Sequence, residues 1–258
     1  MTSSPPGPLT GTTALVTGAS SGIGEATAVS LAAAGAAVSL VARRKDRLDA
    51  LAERITAGGG RALVLEADVT DEAAARAAVA STVEQLGRLD VLVNNAGVML
   101  LGPIESAPVE EWQRMVELNV LGLMYCTHAA LPHLLRAAED SDRRCADVVN
   151  VSSVAGRAAR EGAGVYNATK FGVGAFSESL RQEVTRRHVR VSLVEPGAVE
   201  TELTSHNRPE VQESLAKRFS GMERLRSEDI ADAITYVVTR PRHVAVNEVL
   251  VRPTEQQP

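Results

Sequence analysis

Short apolar runs rich in β-branched residues alternate along the chain with longer segments in which apolar positions recur every three or four residues. The short runs predict buried strands, because a strand covered on both faces of a sheet reads as a continuous apolar segment. The predicted strands are Thr13–Thr17, Ala37–Val41, Ala62–Glu66, Val91–Asn94, Asp147–Ser152, Val189–Glu195 and Glu248–Arg252. The alternation predicts an α/β fold with a doubly wound, mostly parallel sheet of about seven strands and helices on both faces.

The longer segments predict the helices that cover the sheet. They are Gly22–Ala34, Lys45–Thr56, Asp71–Leu86, Glu110–Leu135, Val165–Thr185 and Glu228–Val238. Two stretches break the alternation. Ala137–Ala146 is polar and of mixed charge, which predicts a solvated loop. The stretch 200–225 is too long for an ordinary connection, which predicts a lid over a substrate site; the alternative is a helical excursion on the surface.

The length and composition fit one folded unit. The chain has 258 residues, of which 45% are hydrophobic. Folds of the α/β class with about 200–250 residues form around a single sheet. We therefore expect one domain over residues 9–258, preceded by a disordered tail over residues 1–8.

The charge balance and the cysteines argue against several classes of protein. The net charge is −5 and no run of basic residues is longer than Arg43-Arg44-Lys45, so we expect no nucleic-acid partner. The most apolar segment, Val116–Leu135, contains Asn119 and Pro132, so no membrane span is expected. Cys126 and Cys145 have no metal-ligand spacing, so we expect no metal. They form no disulfide framework, and the first residues do not read as a secretory signal, which predicts a cytoplasmic protein.

The first predicted strand leads through a glycine-rich turn directly into a helix. Glycines at this place allow a tight turn, close approach of the backbone to a pyrophosphate, and close packing of the helix on the strand. The helix N-terminus adds N–H donors and positive partial charge. Strand, turn and helix in this order predict a Rossmann-type dinucleotide-binding domain. The residues expected at the cofactor are Gly18, Ser20, Ser21, Gly22, Ile23 and Gly24.

The second predicted strand is followed by Arg43 and Arg44, about 20 residues after the glycine turn. Sites that take NAD place a carboxylate here for the ribose hydroxyls, whereas a basic residue accommodates the 2′-phosphate of NADP. Arginine suits phosphate because its planar guanidinium offers a fork of donors. The two arginines therefore predict NADP(H) as the cofactor; the alternative is that they only begin a solvated helix.

Tyr166 and Lys170 stand four residues apart in a predicted helix, so they share one face, where an ammonium stabilises a phenolate. The chain keeps a lysine here although it has only three lysines against 24 arginines. Ser153 follows the fifth predicted strand, and the carboxyl ends of parallel strands form the ligand crevice. We expect these three residues to form a catalytic site. Taken alone, Ser153 reads as a cap or turn residue.

These segments resemble the short-chain dehydrogenase/reductase family, from about Leu9 to the C-terminus. The glycine turn matches the family motif TGxxxGxG, and Asn94-Asn95-Ala96-Gly97 matches NNAG. Ser153, Tyr166 and Lys170 match the catalytic trio. The remaining matches are Asp68-Val69 on the adenine side, Asn119 in the active site, and Pro196-Gly197-Ala198-Val199-Glu200-Thr201 beside the nicotinamide.

The resemblance implies an oxidoreductase that uses NADP(H) to reduce an aldehyde or ketone reversibly. Tyr166 would exchange a proton with the substrate oxygen, with its pKa held below the ordinary value of about 10 by Lys170 and the oxidised nicotinamide. Ser153 would hydrogen-bond that oxygen, and Lys170 would hold the nicotinamide ribose. Asn119 would hold a water in a proton relay, or else satisfy a kinked helix. Asp68 would contact the adenine side, cap a helix, or both.

The resemblance further implies a homotetramer built by the helices near Val116–Leu135 and Val165–Thr185. Segments such as Met99–Pro103 are similar to the NADP-dependent clavaldehyde reductases of the family, which implies a small-molecule aldehyde of secondary metabolism as one candidate substrate. Arg157 or Arg160 is expected to bind a substrate carboxylate; alternatively both are solvated. Two other functions remain open: a reductase of 3-oxoacyl groups on a carrier protein, and an NADP sensor without turnover.

Overall fold

The structure is a computed structural model that describes residues 7–257. A disordered tail was predicted for residues 1–8, and residues 1–6 of it lie outside the described residues. Leu9 is fully buried, and its N–H donates to the carbonyl of Ala34 at 2.9 Å. The packed part of the chain thus includes Leu9, where the sequence places the start of the domain.

All the predicted strands are present, with ends shifted by at most one residue. They are β1 Thr13–Thr17, β2 Ala37–Ala42, β3 Arg61–Glu66, β4 Val91–Asn94, β5 Ala146–Val151, β6 Val189–Pro196 and β7 Glu248–Val251. Every pair is parallel, and the sheet order is β3-β2-β1-β4-β5-β6-β7. The order reverses between β1 and β4, which is where an open α/β sheet forms its ligand crevice. This confirms the predicted Rossmann-type sheet.

Helices cover both faces of the sheet. They are α1 Gly22–Ala33, α2 Lys45–Ala57, α3 Glu72–Leu86, α4 Val109–Val116, α5 Leu123–Asp140, α6 Gly164–Val184, α7 Pro209–Arg218 and α8 Ser227–Val238. Helices α1, α2 and α8 share one hydrophobic core, and α3, α5 and α6 share the other. Successive residues of β1 point to opposite cores, because side chains alternate along a strand: Leu15 joins the second core and Val16 the first.

The long helix predicted at Glu110–Leu135 is divided. Helix α4 passes into a π-helical segment, Glu117–Gly122, and then into α5. Such π-helical turns are rare and often mark functional sites, and this one carries Asn119. Pro132 lies inside α5. No helix among residues 7–257 is long and apolar enough to cross a bilayer.

The solvated loop predicted at Ala137–Ala146 is largely wrong. Helix α5 continues to Asp140, and Ser141 and Cys145 are buried in the connection that follows. The cause is Arg143, whose guanidinium donates to the buried carboxylate of Asp147 at 2.8 Å. The charge of the segment therefore fastens it to the sheet instead of solvating it.

Candidate active site

A cleft runs along the carboxyl edge of the sheet, and nearly all the predicted site residues line it. These are Gly18, Ser20, Ser21, Gly22, Ile23, Arg43, Arg44, Asp68, Val69, Asn95, Ala96, Gly97, Ser153, Tyr166, Lys170, Pro196, Gly197, Val199 and Thr201. Gly24 and Asn119 do not line it. The fold thus brings together residues separated by more than half of the chain.

The glycine turn has no room for side chains. Gly18 has a φ of +67°, and a Cβ on it would lie 2.9 Å from the Cα of Ala96. A Cβ on Gly24 would lie 2.3 Å from the carbonyl oxygen of Gly18, so Gly24 serves the packing of α1 on the turn. Thr17 fixes the neighbouring strand end, since its hydroxyl accepts the N–H groups of Asn95 and Ala96 at 3.0 and 3.1 Å. Close contacts therefore preform this part of the cleft.

Arg44 lies beside the two serines of the glycine turn. Its Nε and Nη2 donate to the hydroxyl of Ser20 at 3.1 and 2.9 Å, and Nη2 also donates to Ser21 at 2.8 Å. Arg43 approaches the carboxylate of Asp68 at 3.6 Å. Burial opposes ionisation of Asp68, but hydrogen bonds from Thr70 and the charge of Arg43 together lower its pKa. Two guanidiniums and two hydroxyls are thus grouped at this end of the cleft, which we call the arginine end.

Glu202 joins the arginine end from the segment after β6 and was not anticipated from the sequence. Its carboxylate binds Arg44 at 2.9 Å and Arg47 at 2.7 Å. These two arginines lower the pKa of Glu202 to about 2. Only an approach between residues more than 150 positions apart creates this pair, so no local pattern signals it.

Ser153, Tyr166 and Lys170 lie at the other end, which we call the tyrosine end. Tyr166 and Lys170 are both buried, and the Lys170 Nζ lies 5.8 Å from the centre of the phenol ring. That Nζ donates to the carbonyl of Val151, the last residue of β5, at 2.9 Å. The Ser153 hydroxyl accepts the N–H of Ala155 at 3.1 Å, so it also caps the turn that follows.

Burial shifts both titratable groups of the tyrosine end. It raises the pKa of Tyr166 to about 12, although a hydrogen bond with Ser153 opposes the shift. It lowers the pKa of Lys170 to about 8. The expected lowering of the Tyr166 pKa is therefore not produced by the chain's own residues, because the ammonium contacts Val151 and burial dominates.

Asn119 lies behind the cleft wall. Its Oδ1 accepts the N–H of Val98 at 2.8 Å, and its Nδ2 donates to the Val98 carbonyl at 2.9 Å and to Thr169 at 3.2 Å. A Cβ on Gly97 would lie 3.3 Å from this Oδ1 and 3.9 Å from the Lys170 Nζ. Asn119 therefore ties the π-helical segment to the strand end beside Lys170, and the predicted relay through a water stays a prediction.

The segment after β6 is held in place by the C-terminal residues. The Gln256 side chain accepts the N–H of Ala198 at 2.8 Å, and a Cβ on Gly197 would meet the same oxygen at 2.2 Å. Val199 forms a bridge with Leu225, which closes the base of the stretch 200–225. Gln256 lines the cleft and was missed, because nothing near it in the sequence suggests a site.

The stretch 200–225 contains a 3₁₀ turn, Glu202–His206, and helix α7. Asn207 fastens it across the cleft, accepting the N–H of Leu101 at 2.8 Å and donating to the carbonyl of Met99 at 2.9 Å. Arg208 adds an ion pair with Glu111 at 3.2 Å. The stretch is therefore partly helical and is fastened on both sides of the cleft.

Arg157 is not placed to bind a substrate. Its guanidinium donates three hydrogen bonds of 2.7–2.9 Å to Glu195, which is 1% exposed, and it also pairs with Glu248. It does not line the cleft, whereas Arg160 does. The carboxylate-binding prediction is thus wrong for Arg157, because a buried carboxylate of the chain itself takes its donors.

Three comparisons with known proteins agree with this geometry. The short chain dehydrogenase family model matches residues 12–212. Glycine betaine reductase ATRR of Emericella nidulans is 38% identical over 255 residues, which are 98% of this chain but only 19% of that protein. A serine dehydrogenase in its closed form with NADP+ has a TM-score of 0.87 and 33% identity, covering 95% of this chain and 96% of the other.

A further solved structure carries a different cofactor. The 3-ketoacyl-(acyl-carrier-protein) reductase of Brucella melitensis, complexed with NADH, has a TM-score of 0.82 and 32% identity. It covers 95% of this chain and 97% of its own. Similar structures thus hold either dinucleotide. The family match and the shared site show that this chain belongs to the short-chain dehydrogenase/reductase family of oxidoreductases.

Proposed function

We propose that the protein reduces an aldehyde or ketone to an alcohol with NADPH, in a reversible hydride transfer. The proposal rests on one observation: a catalytic group of residues and a group of arginines line the same cleft. A buried Tyr166 stands beside Ser153 and Lys170 at one end, and Arg43 and Arg44 stand at the other.

The residues present fit a dinucleotide. The glycine turn offers backbone where a Cβ on Gly18 would collide, and α1 directs its N-terminus at the same place. Ser20, Ser21 and Arg44 would hold the 2′-phosphate of NADP, with Arg43 beside them. Lys170 would hold the nicotinamide ribose, and Thr201 would lie beside the nicotinamide. When bound, the cofactor supplies the hydride.

The chain's own groups would handle the proton and the developing negative charge. Tyr166 remains protonated at neutral pH, so it can donate a proton to the substrate oxygen. Ser153 would donate a hydrogen bond to the same oxygen, where charge develops. The positive charge of Lys170 would stabilise the phenolate left on Tyr166. Burial of Tyr166 and Lys170 strengthens these interactions by excluding water.

Two other functions use the same fold. Reduction of 3-oxoacyl groups on a carrier protein is favoured by the likeness to the Brucella melitensis reductase. Sensing of NADP without turnover is disfavoured by the intact trio at the tyrosine end. A clavaldehyde-like aldehyde remains one candidate substrate of the proposed reduction.

The proposed assembly is a homotetramer through α5 and α6, with residues 9–258 as one catalytic domain and the stretch 200–225 as its lid. Exposed apolar side chains near or on these helices support the assembly, namely Val116, Leu121 and Phe171. Sedimentation equilibrium measures the mass in solution. A mass of four chains supports this proposal, and a mass of one chain contradicts it.

The reaction is tested by following oxidation of NADPH and NADH with aldehydes, ketones and 3-oxoacyl thioesters. We expect turnover with NADPH at higher kcat/KM than with NADH. Arg44→Gln should lower kcat/KM for NADPH by about tenfold or more, since it removes charged hydrogen bonds to a phosphate, and leave NADH unchanged.

Arg47→Gln is the matched control, because Arg47 shares the partner Glu202 but does not line the cleft. It should leave the preference intact. A wild-type preference for NADH would contradict the NADP assignment. Tight NADPH binding without turnover on any carbonyl would favour the sensor.

A further inference from the structure

The charges that line the cleft are unequally distributed. Asp68 and Glu202 are the carboxylates in its wall among residues 7–257, and both belong to the arginine end. There they neutralise Arg43 and Arg44. Arg160 and Arg218 also line the cleft, and no described carboxylate is paired with either of them. Among the described residues, the charged groups of the cleft wall that lack a carboxylate partner are therefore cationic.

The arginines around the cleft differ in what they bind. Arg157 and Arg208 line no part of it and are paired with Glu195 and Glu111. Arg160 donates from Nη2 only to the backbone carbonyl of Gln257, at 3.4 Å. Within residues 7–257, Arg218 makes no hydrogen bond or ion pair through its guanidinium. Among the described residues, the two guanidiniums that face the cleft thus have no carboxylate partner, while Arg157 and Arg208 have one.

The two guanidiniums are placed by different elements around the cleft. The backbone N–H of Arg160 donates to the side chain of Asn167, the neighbour of Tyr166, at 3.2 Å. Arg218 is the last residue of α7, and Leu215 and Phe219 beside it line the same cleft with apolar surface. Arg160 is thus fixed to the helix of the reactive phenol, and Arg218 is carried by the lid.

We propose that Arg160 and Arg218 bind a carboxylate of the substrate, so that the substrates are carbonyl compounds that also carry a carboxylate. A planar guanidinium matches a carboxylate through paired hydrogen bonds, and charged bonds of this kind are the strong ones. The apolar neighbours Leu215 and Phe219 cover the carbon chain between carboxylate and carbonyl. This inference rests on the proposed reduction of a carbonyl at Tyr166.

The test compares each oxo acid with its own methyl ester, which keeps the carbonyl and removes the charge. Suitable pairs are pyruvate, acetoacetate, succinic semialdehyde and glutaric semialdehyde with their methyl esters. Steady-state rates with NADPH give kcat/KM for each member. For at least one pair, the acid should be preferred by about tenfold or more, because a hydrogen bond between charged groups contributes this much.

Two variants locate the preference. Arg160→Gln and Arg218→Gln should each lower kcat/KM for the preferred acid by about tenfold, mainly through KM, and leave the ester unchanged. Lys217→Gln is the matched control, since Lys217 precedes Arg218, is exposed, and does not line the cleft. It should change neither substrate. Equal use of acid and ester by the wild-type protein, or equal loss for both in the arginine variants, would overturn the inference.

A binding readout keeps the inference separate from the reaction. Succinate, which has no carbonyl to reduce, should raise the Tm of the complex with NADP+ in the wild-type protein and not in the double variant of Arg160 and Arg218. No such shift, together with turnover of uncharged carbonyls, overturns the carboxylate site and leaves the reductase intact. A shift without turnover of any carbonyl supports the carboxylate site and contradicts the proposed reaction.

Discussion

The two edges of the sheet bury polar groups in different ways. At the amino edge, where strands begin, Asp90 and Asp147 are almost completely buried. Arg88 donates two 2.7 Å bonds to Asp90, and Arg190 donates at 2.7 and 3.0 Å to Asp147. At the tyrosine end of the carboxyl edge, Tyr166 and Lys170 are buried with no carboxylate partner among residues 7–257. Glu195 at the carboxyl edge is paired with Arg157 in the same way, so the contrast is between these paired carboxylates and the two unpaired titratable groups of the tyrosine end.

The difference separates structural from reactive polar groups. A buried carboxylate that accepts hydrogen bonds from guanidiniums has its charge compensated inside the fold, and removing a partner leaves that charge buried and uncompensated. A phenol whose pKa rises to about 12 and an amine whose pKa falls to about 8 respond to any new charge that enters the cleft. We therefore expect substitutions at the amino edge to change stability and substitutions at the tyrosine end to change turnover.

Removal of Arg190 should have the largest effect, and on stability. Arg190→Leu leaves Asp147 with Arg143 alone and also removes hydrogen bonds to the carbonyls of Arg240 and Val244. Breaking a buried ion pair costs about 3–5 kcal/mol. Urea unfolding should show a loss of this size in the free energy of unfolding. If the free energy of unfolding fell by less than about 1 kcal/mol, as it does for an exposed ion pair, the buried pairs of the amino edge would have no special role in stability.

Ser153→Ala should change catalysis about as strongly as Arg190→Leu changes the free energy of unfolding. Loss of one donor to a developing oxyanion lowers kcat by about 10²–10³. The free energy of unfolding should change little, because the Ser153 side chain is only partly buried and its 3.1 Å hydrogen bond from Ala155 caps a short turn. The measurements are steady-state turnover with NADPH and urea unfolding of the same preparation. A variant that loses stability but retains turnover would reverse the proposed roles.

The shifted pKa of Lys170 should appear as a pH dependence of stability. The pKa is about 8 in the folded chain and 10.5 in its ordinary state, so between these values the unfolded chain binds more protons. The free energy of unfolding should therefore rise with pH in this window relative to Lys170→Met. Urea unfolding at several pH values from about 8 to about 9, where Tyr166 stays mostly protonated in the folded and in the unfolded chain, measures the difference. If the difference in the free energy of unfolding between the wild type and Lys170→Met did not change with pH, the Lys170 ammonium would be solvated in the folded protein.

The smallest effect is expected where an ion pair is exposed. Arg54 binds Glu25 at 2.7 Å, with 58% and 34% of the two side chains exposed. Arg54→Ala should lower the free energy of unfolding by less than about 1 kcal/mol, because water and salt screen such a pair. Urea unfolding in low and high salt tests this. A loss as large as that from Arg190→Leu would show that burial does not decide the value of these pairs.

The fold was predictable because its signals are local. Short apolar runs such as Val91–Asn94, rich in β-branched residues, predict buried strands, and the glycine turn needs no distant partner to be recognised. Tyr166 and Lys170 were found for the same reason, since the spacing of four places them on one face.

What could not be predicted depends on distant partners. Arg157 resembles a free cleft residue in the sequence, and only the approach of Glu195 makes it structural. Glu202, Asn207 and Gln256 act through contacts with residues more than 50 positions away. The pKa of Tyr166 could not be inferred from its spacing to Lys170, because burial outweighs a neighbour whose amine contacts Val151.

In the proposed reaction, Tyr166 supplies the proton for reduction of a carbonyl by NADPH. The most direct test of this role is single-turnover oxidation of bound NADPH by the best substrate of the panel, in the wild-type protein and in Tyr166→Phe. We expect the variant to bind NADPH as the wild type does and to react at least about 10²-fold more slowly. Reaction of the variant at the wild-type rate would contradict this role.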